Sequence, residues 1–232
     1  MKLAIMQPYL FPYIGYFQLA AAVDKFVFYD DVNYIKNGWI NRNRILLGDQ
    51  VRYLTVPLSG ASSSLKINEV HVEPSERWLR KLLESVRHAY AKAPHYPQVS
   101  ALIERIMSEA LTPISSLAAN TVVEICRYLE IDTEFVPSST KYGNAQLKGV
   151  DRVVDICEKE QASIYVNLPG GRALYDSKVF SARGMELAFI EPNVSPYAQF
   201  GQAFQPALSI LDVLMFNSKN RVQDILCVEV CS

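Results

Sequence analysis

A mainly parallel α/β sheet flanked by helices is the fold this sequence predicts, and three observations carry that reading. Short apolar runs, too brief to be helices, recur along the chain; amphipathic stripes of helical period separate them; and polar or glycine-bearing stretches follow several of the apolar runs. Strands that alternate with helices place those helices on both faces of a sheet whose strands run parallel. The 232 residues are 50% hydrophobic and 20% charged, an ordinary balance for a soluble, enzyme-sized chain.

The opening run to Met6 reads as a buried strand closed by Pro8. Pro8 and Pro12 then hold an aromatic elbow in extended geometry, because each disfavours the α region for the residue before it. Beyond Pro12, Ile14, Phe17, Ala21 and Ala22 share one helical face. Tyr9, Phe11, Tyr13 and Tyr16 stand too close together for all to be core, so some line a pocket. Strand, elbow and helix in that order is how α/β folds place ligands at the carboxyl end of a strand.

Residues 25–29 form a second buried strand ending in Asp30-Asp31. A polar loop covers 33–43, a third strand 51–58 and a Ser/Gly-rich turn 59–64. From Pro74 the period becomes helical. Ser75 caps a stripe of Trp78, Leu79, Leu82, Leu83 and Val86; Leu102, Ile103, Ile106 and Met107 continue it; residues 114–129 give the cleanest amphipathic helix. Residues 75–130 are therefore a helical insert, and 1–74 with 131–232 the α/β core. In the second part of that core, strands fall at 133–137, 163–167 and 185–190. Helices fall around Val150–Cys157, at 173–183, at 209–216 and at 219–227.

A formal net charge of −1 without a polybasic run argues against nucleic-acid binding by electrostatics alone, although a local basic patch stays compatible with it. The opening apolar run is too short for a signal peptide or membrane span, and the expectation is a cytoplasmic protein with no membrane contact. The four cysteines follow no disulfide or zinc spacing, His71, His88 and His95 show no ligand pairing, and no metal is expected. There is no P-loop, no G-x-G-x-x-G and no G-x-S-x-G.

In a parallel sheet the strand ends converge on one edge, which makes Gln7 and Tyr9, then Asp30 and Asp31, then Tyr165 with Gly170 and Gly171, candidates for one site. Adjacent carboxylates on an extended chain point to opposite faces, so Asp30 and Asp31 are not expected to share a proton. One caps the next turn; the other takes a proton from an amine or binds a sugar hydroxyl. Lys36, Trp39, Asn41 and Arg42 form a second cluster, with Arg42 suited to bidentate phosphate contact and Trp39 to stacking. His95 sits in a Pro-bounded loop, and Tyr197 and Gln199 in a polar-aromatic one. Ser209 and Asp212 read first as an N-cap and a first-turn acid.

Taken together, Met6-Gln7-Pro8-Tyr9, Phe11-Pro12-Tyr13-Ile14-Gly15-Tyr16, Asp30-Asp31-Val32-Asn33-Tyr34, Trp39-Ile40-Asn41-Arg42-Asn43, Tyr90 with Ala93-Pro94, and Ser209-Ile210-Leu211-Asp212 resemble the WbqC-like family over essentially the whole chain. The resemblance implies a cytoplasmic protein of polysaccharide or O-antigen synthesis. Its expected activity is transfer of an amino acid, glycine foremost, to the amine of a nucleotide-linked dideoxyamino sugar. In that reading Trp39 and the tyrosines stack on base and sugar, Arg42 and Lys36 hold phosphates, and Asp30 or Asp31 takes the amine proton. The acyl donor is either preactivated, as an aminoacyl-tRNA or a carrier-protein thioester, or activated in place by ATP; no further cofactor is expected, and a homodimer stays open. A second likeness is to nucleotidyltransferase-like (HUP-type) folds, which keep His-x-Gly-His where this chain has Tyr13-Ile14-Gly15-Tyr16. It adds Tyr13 to the catalytic candidates and an ATP- or CTP-using enzyme to the rival activities. The other rival is a non-catalytic nucleotide-sugar binding module.

Overall fold

In the computed structural model, which describes residues 1–109, 112–201 and 203–231, the chain begins with strand β1 (Lys2–Met6), helix α1 (Ile14–Ala21) and strand β2 (Lys25–Phe28). Four short strands follow, β3 (Arg42–Leu47), β4 (Gln50–Thr55), β5 (Leu58–Ser59) and β6 (His71–Val72), then helices α2 (Glu76–Tyr90), α3 (Tyr96–Met107) and α4 (Ile114–Tyr128). The chain re-enters the sheet with β7 (Glu134–Val136). It continues through α5 (Gly149–Lys159), β8 (Ile164–Asn167), α6 (Ser177–Ser181), β9 (Glu186–Ile190), α7 (Ile210–Phe216), α8 (Lys219–Leu226) and β10 (Val230–Cys231).

The six-stranded sheet has the order β10-β9-β8-β1-β2-β7. Every neighbouring pair is parallel except the edge pair β9–β10. From β1 the chain winds outward through β2 to β7, then returns to the other side of β1 and winds outward again through β8 and β9. This is a doubly wound sheet, and the reversal between β1 and β8 opens a crevice at their carboxyl ends, where such sheets bind ligands.

Period-two alternation divides the core. Ala4, Phe26, Phe28 and Val166 face a cluster that includes Phe17 of α1 and Val122 of α4. Leu3, Ile5, Val27 and Tyr165 face Val153 and Ile156 of α5 and Phe180 of α6. Each fully buried Phe or Ile contributes about 1.5–3 kcal/mol, so the sheet is fixed from both sides. Among the described residues no helix is long and apolar enough to cross a membrane.

Three expectations change. The polar loop gives way at Arg42 to β3, which pairs antiparallel with β4 in a separate two-stranded hairpin. The strand expected at 51–58 is thus a surface ribbon, with Val51, Arg52 and Tyr53 all exposed. The helix expected at 173–183 shortens to α6, because residues 169–174 wind as 3-10 turns and Asp176 caps the helix by accepting from Lys178 N. The elbow is not extended throughout. Phe11, fully buried, has φ of +40°, a conformation costly for a bulky side chain. Hydrogen bonds from four directions hold it there. Leu10 N donates to Trp39 O (3.0 Å), Phe11 N to Thr121 Oγ1 (3.1 Å), Ser209 Oγ to Phe11 O (2.8 Å) and Ile210 N to Pro12 O (2.8 Å).

Candidate functional site

The crevice at the β1–β8 reversal is a cleft of about 570 Å³, within the range of small-molecule sites. Gln7 and the elbow supply Tyr9, Pro12 and Tyr13 on one wall. The loop after β8 supplies Asn167, Gly170 and Gly171, and Tyr29 enters from the end of β2. Trp39 comes from the loop before the hairpin, Asn43 and Arg44 from its first strand, and Tyr175 from the segment before α6.

Local geometry explains how these side chains are held. A Cβ on Gly15 would stand 2.5 Å from the Tyr13 ring, so glycine there lets that ring fold over the start of α1. Below it Tyr16 is fully buried and donates to Gln7 O at 2.8 Å. A Cβ on Gly171 would lie 2.7 Å from Asn167 Nδ2, so the glycine lets its loop close against that amide. Asn167 donates from Nδ2 to Tyr165 Oη (3.0 Å), and Tyr165 in turn donates to Tyr175 Oη (3.4 Å). Tyr165 is buried under the sheet, stacked on Phe180, and supports the cleft from below.

Among the described lining residues Arg44 carries the one charge. Its Nη2 donates to Ala207 O at 2.8 Å, and its guanidinium lies 5.5 Å from the Trp39 ring centre. Its Nε is buried without a hydrogen-bond partner, the one such side-chain nitrogen or oxygen among the described residues. An unmatched buried donor on a charged group is expensive, about 1–3 kcal/mol or more. Burial raises the pKa of Tyr9, Tyr13, Tyr29 and Tyr175; at Tyr29 this outweighs the opposing effect of Arg152. All four phenols are therefore neutral hydrogen-bonding groups near pH 7, not bases. No Asp, Glu, His, Cys or Lys stands among the described lining residues, and no described group of three His, Cys, Asp or Glu could hold a metal ion.

Gln7, Tyr9, Tyr13, Trp39, Gly170 and Gly171 thus line one cleft, while the other candidates lie elsewhere. Asp30 and Asp31 are buried and engaged internally. Asp30 accepts from Ser138 Oγ (2.7 Å) and Ser139 N (3.1 Å), and Asp31 pairs with Arg152 and accepts from Ser139 Oγ. The Arg152 guanidinium lies 4.9 Å from the centre of the Tyr29 ring, so Asp31 acts one layer behind the cleft wall. Asn41 accepts from Tyr34 Oη and donates to Val56 O, tying the hairpin base. Arg42 turns back on the carbonyls of Asn37 and Gly38 and covers Tyr53, while Lys36 is exposed in the loop before Trp39. His95 caps α3, its N–H on Met215 O.

Tyr197 and Gln199 gather on Asp212. Oδ1 of that fully buried acid accepts from Tyr197 Oη and Gln199 Nε2, each at 2.7 Å, and Oδ2 from Tyr90 Oη at 2.9 Å. Burial raises the Asp212 pKa and the three donors pull it back. It is more than a first-turn acid: it fastens the long loop whose Ala207 carbonyl receives Arg44. Ser209 does cap α7, accepting from Leu211 N. The residues the sequence did not single out for the cleft, Tyr29, Arg44 and Tyr175, lacked any motif, while Asn43 closed the Trp39-Ile40-Asn41-Arg42-Asn43 stretch; Arg44 was signalled only by lying two residues beyond Arg42.

A family model described as "WbqC-like protein family" matches residues 7–224. The chain belongs to the WbqC-like family. The match takes in every cleft residue from Gln7 to Ala207. The Mycobacterium tuberculosis protein Rv1507c, itself uncharacterized, is 32% identical over 228 residues, covering 97% of each chain. No solved structure matches. WbqC-like membership is consistent with a biosynthetic enzyme and leaves its substrates to be argued from the cleft.

Proposed function

We propose that the cleft binds a nucleotide-linked amino sugar and that the protein transfers an amino acid, glycine foremost, from a preactivated donor to the sugar amine. One observation carries this reading. A single guanidinium with an unmatched Nε stands among five aromatic side chains and three side-chain amides at the sheet reversal. Aromatic faces suit a base and a sugar ring, the Gln7 amide suits a sugar hydroxyl, and Arg44 suits a phosphate oxygen, while Asn43 and Asn167 are bonded within the wall. The earlier expectation that Arg42 and Lys36 hold phosphate passes to Arg44.

The chemistry follows from what lines the site. With no carboxylate or imidazole among the described lining residues, the protein offers no strong base for the amine proton. The amine must attack as the neutral free base, and the acyl group must carry its own leaving group, as a thioester or a ribose ester does. Activation by ATP within this cleft is disfavoured, because no carboxylate stands among the described lining residues to hold a divalent ion beside a triphosphate. The same reasoning counts against the nucleotidyltransferase reading, in which Tyr13 and Tyr16 replace histidines. Tyr13 then contributes a neutral hydroxyl at the cleft and Tyr16 a structural one.

Purified protein incubated with dTDP-4-amino-4,6-dideoxyglucose and glycyl-tRNA, a glycyl thioester, or glycine with ATP tests the reading by product mass. A glycylated nucleotide sugar from either preactivated donor is expected; no product from any donor overturns it for this acceptor. A non-catalytic binding module is the second reading, favoured by the missing base. It predicts saturable binding of the nucleotide sugar with no turnover.

A further inference from the structure

The charge of this chain is unevenly placed. Residues 36–92 hold ten Lys and Arg against five Asp and Glu, whereas the rest holds 13 against 19. Among the described residues every ion pair uses cations outside that segment, drawn from Lys25, Arg105, Arg127, Lys141, Arg152, Lys159, Arg172, Arg183 and Lys219. Among the described residues none of the ten cations of the segment joins an ion pair, and the segment keeps an excess of five positive charges. They belong to one lobe, in which α2 packs on β3 and β4 and exposes Arg77, Arg80, Lys81 and Arg87.

The hairpin adds a second feature. Arg42 and Arg44 are two apart on β3, and Tyr53 is opposite Arg44, so all three share one face. There the Arg44 guanidinium lies 5.5 Å from the Trp39 ring centre, Trp39 and Tyr53 rings are 6.4 Å apart, and Arg42 covers Tyr53 at 4.2 Å. This ladder of alternating cations and rings begins in the cleft, which Arg44 and Trp39 line, and runs outside it to a tyrosine that is 53% exposed. Arginine planes and exposed rings in series on a basic surface are what single-stranded nucleic acid stacks on. An acidic carrier protein would be attracted by the same charge, but gives no reason for a stacking series that leads into the site.

We propose that this lobe docks an RNA with a single-stranded, aminoacylated 3′ end, and that the ladder guides that end to the cleft. The proposal rests on the acyl-transfer reading and selects its donor. The sugar amine attacks the ester carbonyl, a C–N bond forms, the C–O bond to the terminal ribose breaks, and the amine proton ends on the released ribose hydroxyl.

The test is fluorescence anisotropy with the full chain and a labelled RNA stem carrying a single-stranded CCA tail, against the same stem with a blunt end. The tailed RNA is expected to bind about tenfold more tightly, in line with stacking of one or two bases. Tyr53→Ala should abolish that preference. The double substitution Arg80→Ser, Lys81→Ser should reduce the log–log salt slope by about 1.8, two phosphate contacts being lost. Equal affinity for tailed and blunt RNA, an undiminished preference in Tyr53→Ala, or capture of an acyl carrier protein in place of RNA each overturns the proposal. Calorimetry of the nucleotide sugar alone, with no RNA present, judges the cleft reading separately, so the two can fail independently.

Discussion

Two strand ends lie side by side in this sheet and have opposite characters. At the end of β2 the carboxylates of Asp30 and Asp31 are satisfied by Ser138, Ser139 and Arg152. At the ends of β1 and β8 the amides of Asn43 and Asn167 are bonded internally as well, but Gln7 and the phenols of Tyr9 and Tyr13 line an open cleft, and Arg44 has a donor with no internal partner. The first arrangement is what a core does with charge: it pairs it and spends no capacity on solvent or ligand. The second is what a binding site does. A carboxylate at a strand end is therefore no sign of chemistry until its partners are known.

The comparison can be broken most forcefully at Arg152. Both it and Asp31 are buried, and Arg152→Ala would leave the acid unpaired; a loss of about 3–5 kcal/mol is expected in urea unfolding. Nucleotide-sugar affinity of the folded fraction should barely move. Arg44→Ala should do the reverse, weakening nucleotide-sugar binding by about 10- to 100-fold, as for the loss of a charged hydrogen bond, at little cost in stability. Arg44→Lys should recover only part, since a point charge does not replace a planar fork. Asp30→Asn should leave turnover within about threefold of the parent; a drop of 10²–10⁴, the size expected for loss of a general base, would return the acid to the mechanism.

A second contrast lies at the opposite edge of the sheet. Burial works against ionisation of Glu160, but donors on Lys141, Lys25 and Tyr142 prevail and hold its carboxyl down at about 2. Because the folded value is below the ordinary 4.5, this stabilisation is complete above about pH 4.5 and is lost as pH falls towards 2. Glu160→Gln should flatten stability against pH across that window. The smallest effect is expected from Gly15→Ala. The added methyl meets the far end of the Tyr13 side chain, which can swing aside. Nucleotide-sugar affinity should fall a few-fold while α1 gains up to about 1 kcal/mol.

The sheet core was legible in sequence because its strands are covered on both faces and read as unbroken apolar runs. The hairpin was not, since Gln50 to Thr55 is exposed ribbon whose pairing gives no buried pattern. Within the cleft, Gln7, Tyr9 and Tyr13 could be placed because the elbow follows the first strand directly. The choice between Arg42 and Arg44 could not be made, for it depends on the carbonyls of Asn37 and Gly38 turning the first guanidinium away. The fate of Asp31 likewise depends on Arg152, 121 residues further on, which no local motif announces.

Phe11 carries a wider implication. Its unfavourable backbone is fastened to α4, to the loop before the hairpin and to the residues that open α7, so the floor beneath Tyr9 and Tyr13 cannot shift unless distant parts of the molecule shift with it. A guest would meet a seat already shaped before arrival. Related guests should then enter at similar speeds and differ chiefly in how long they stay.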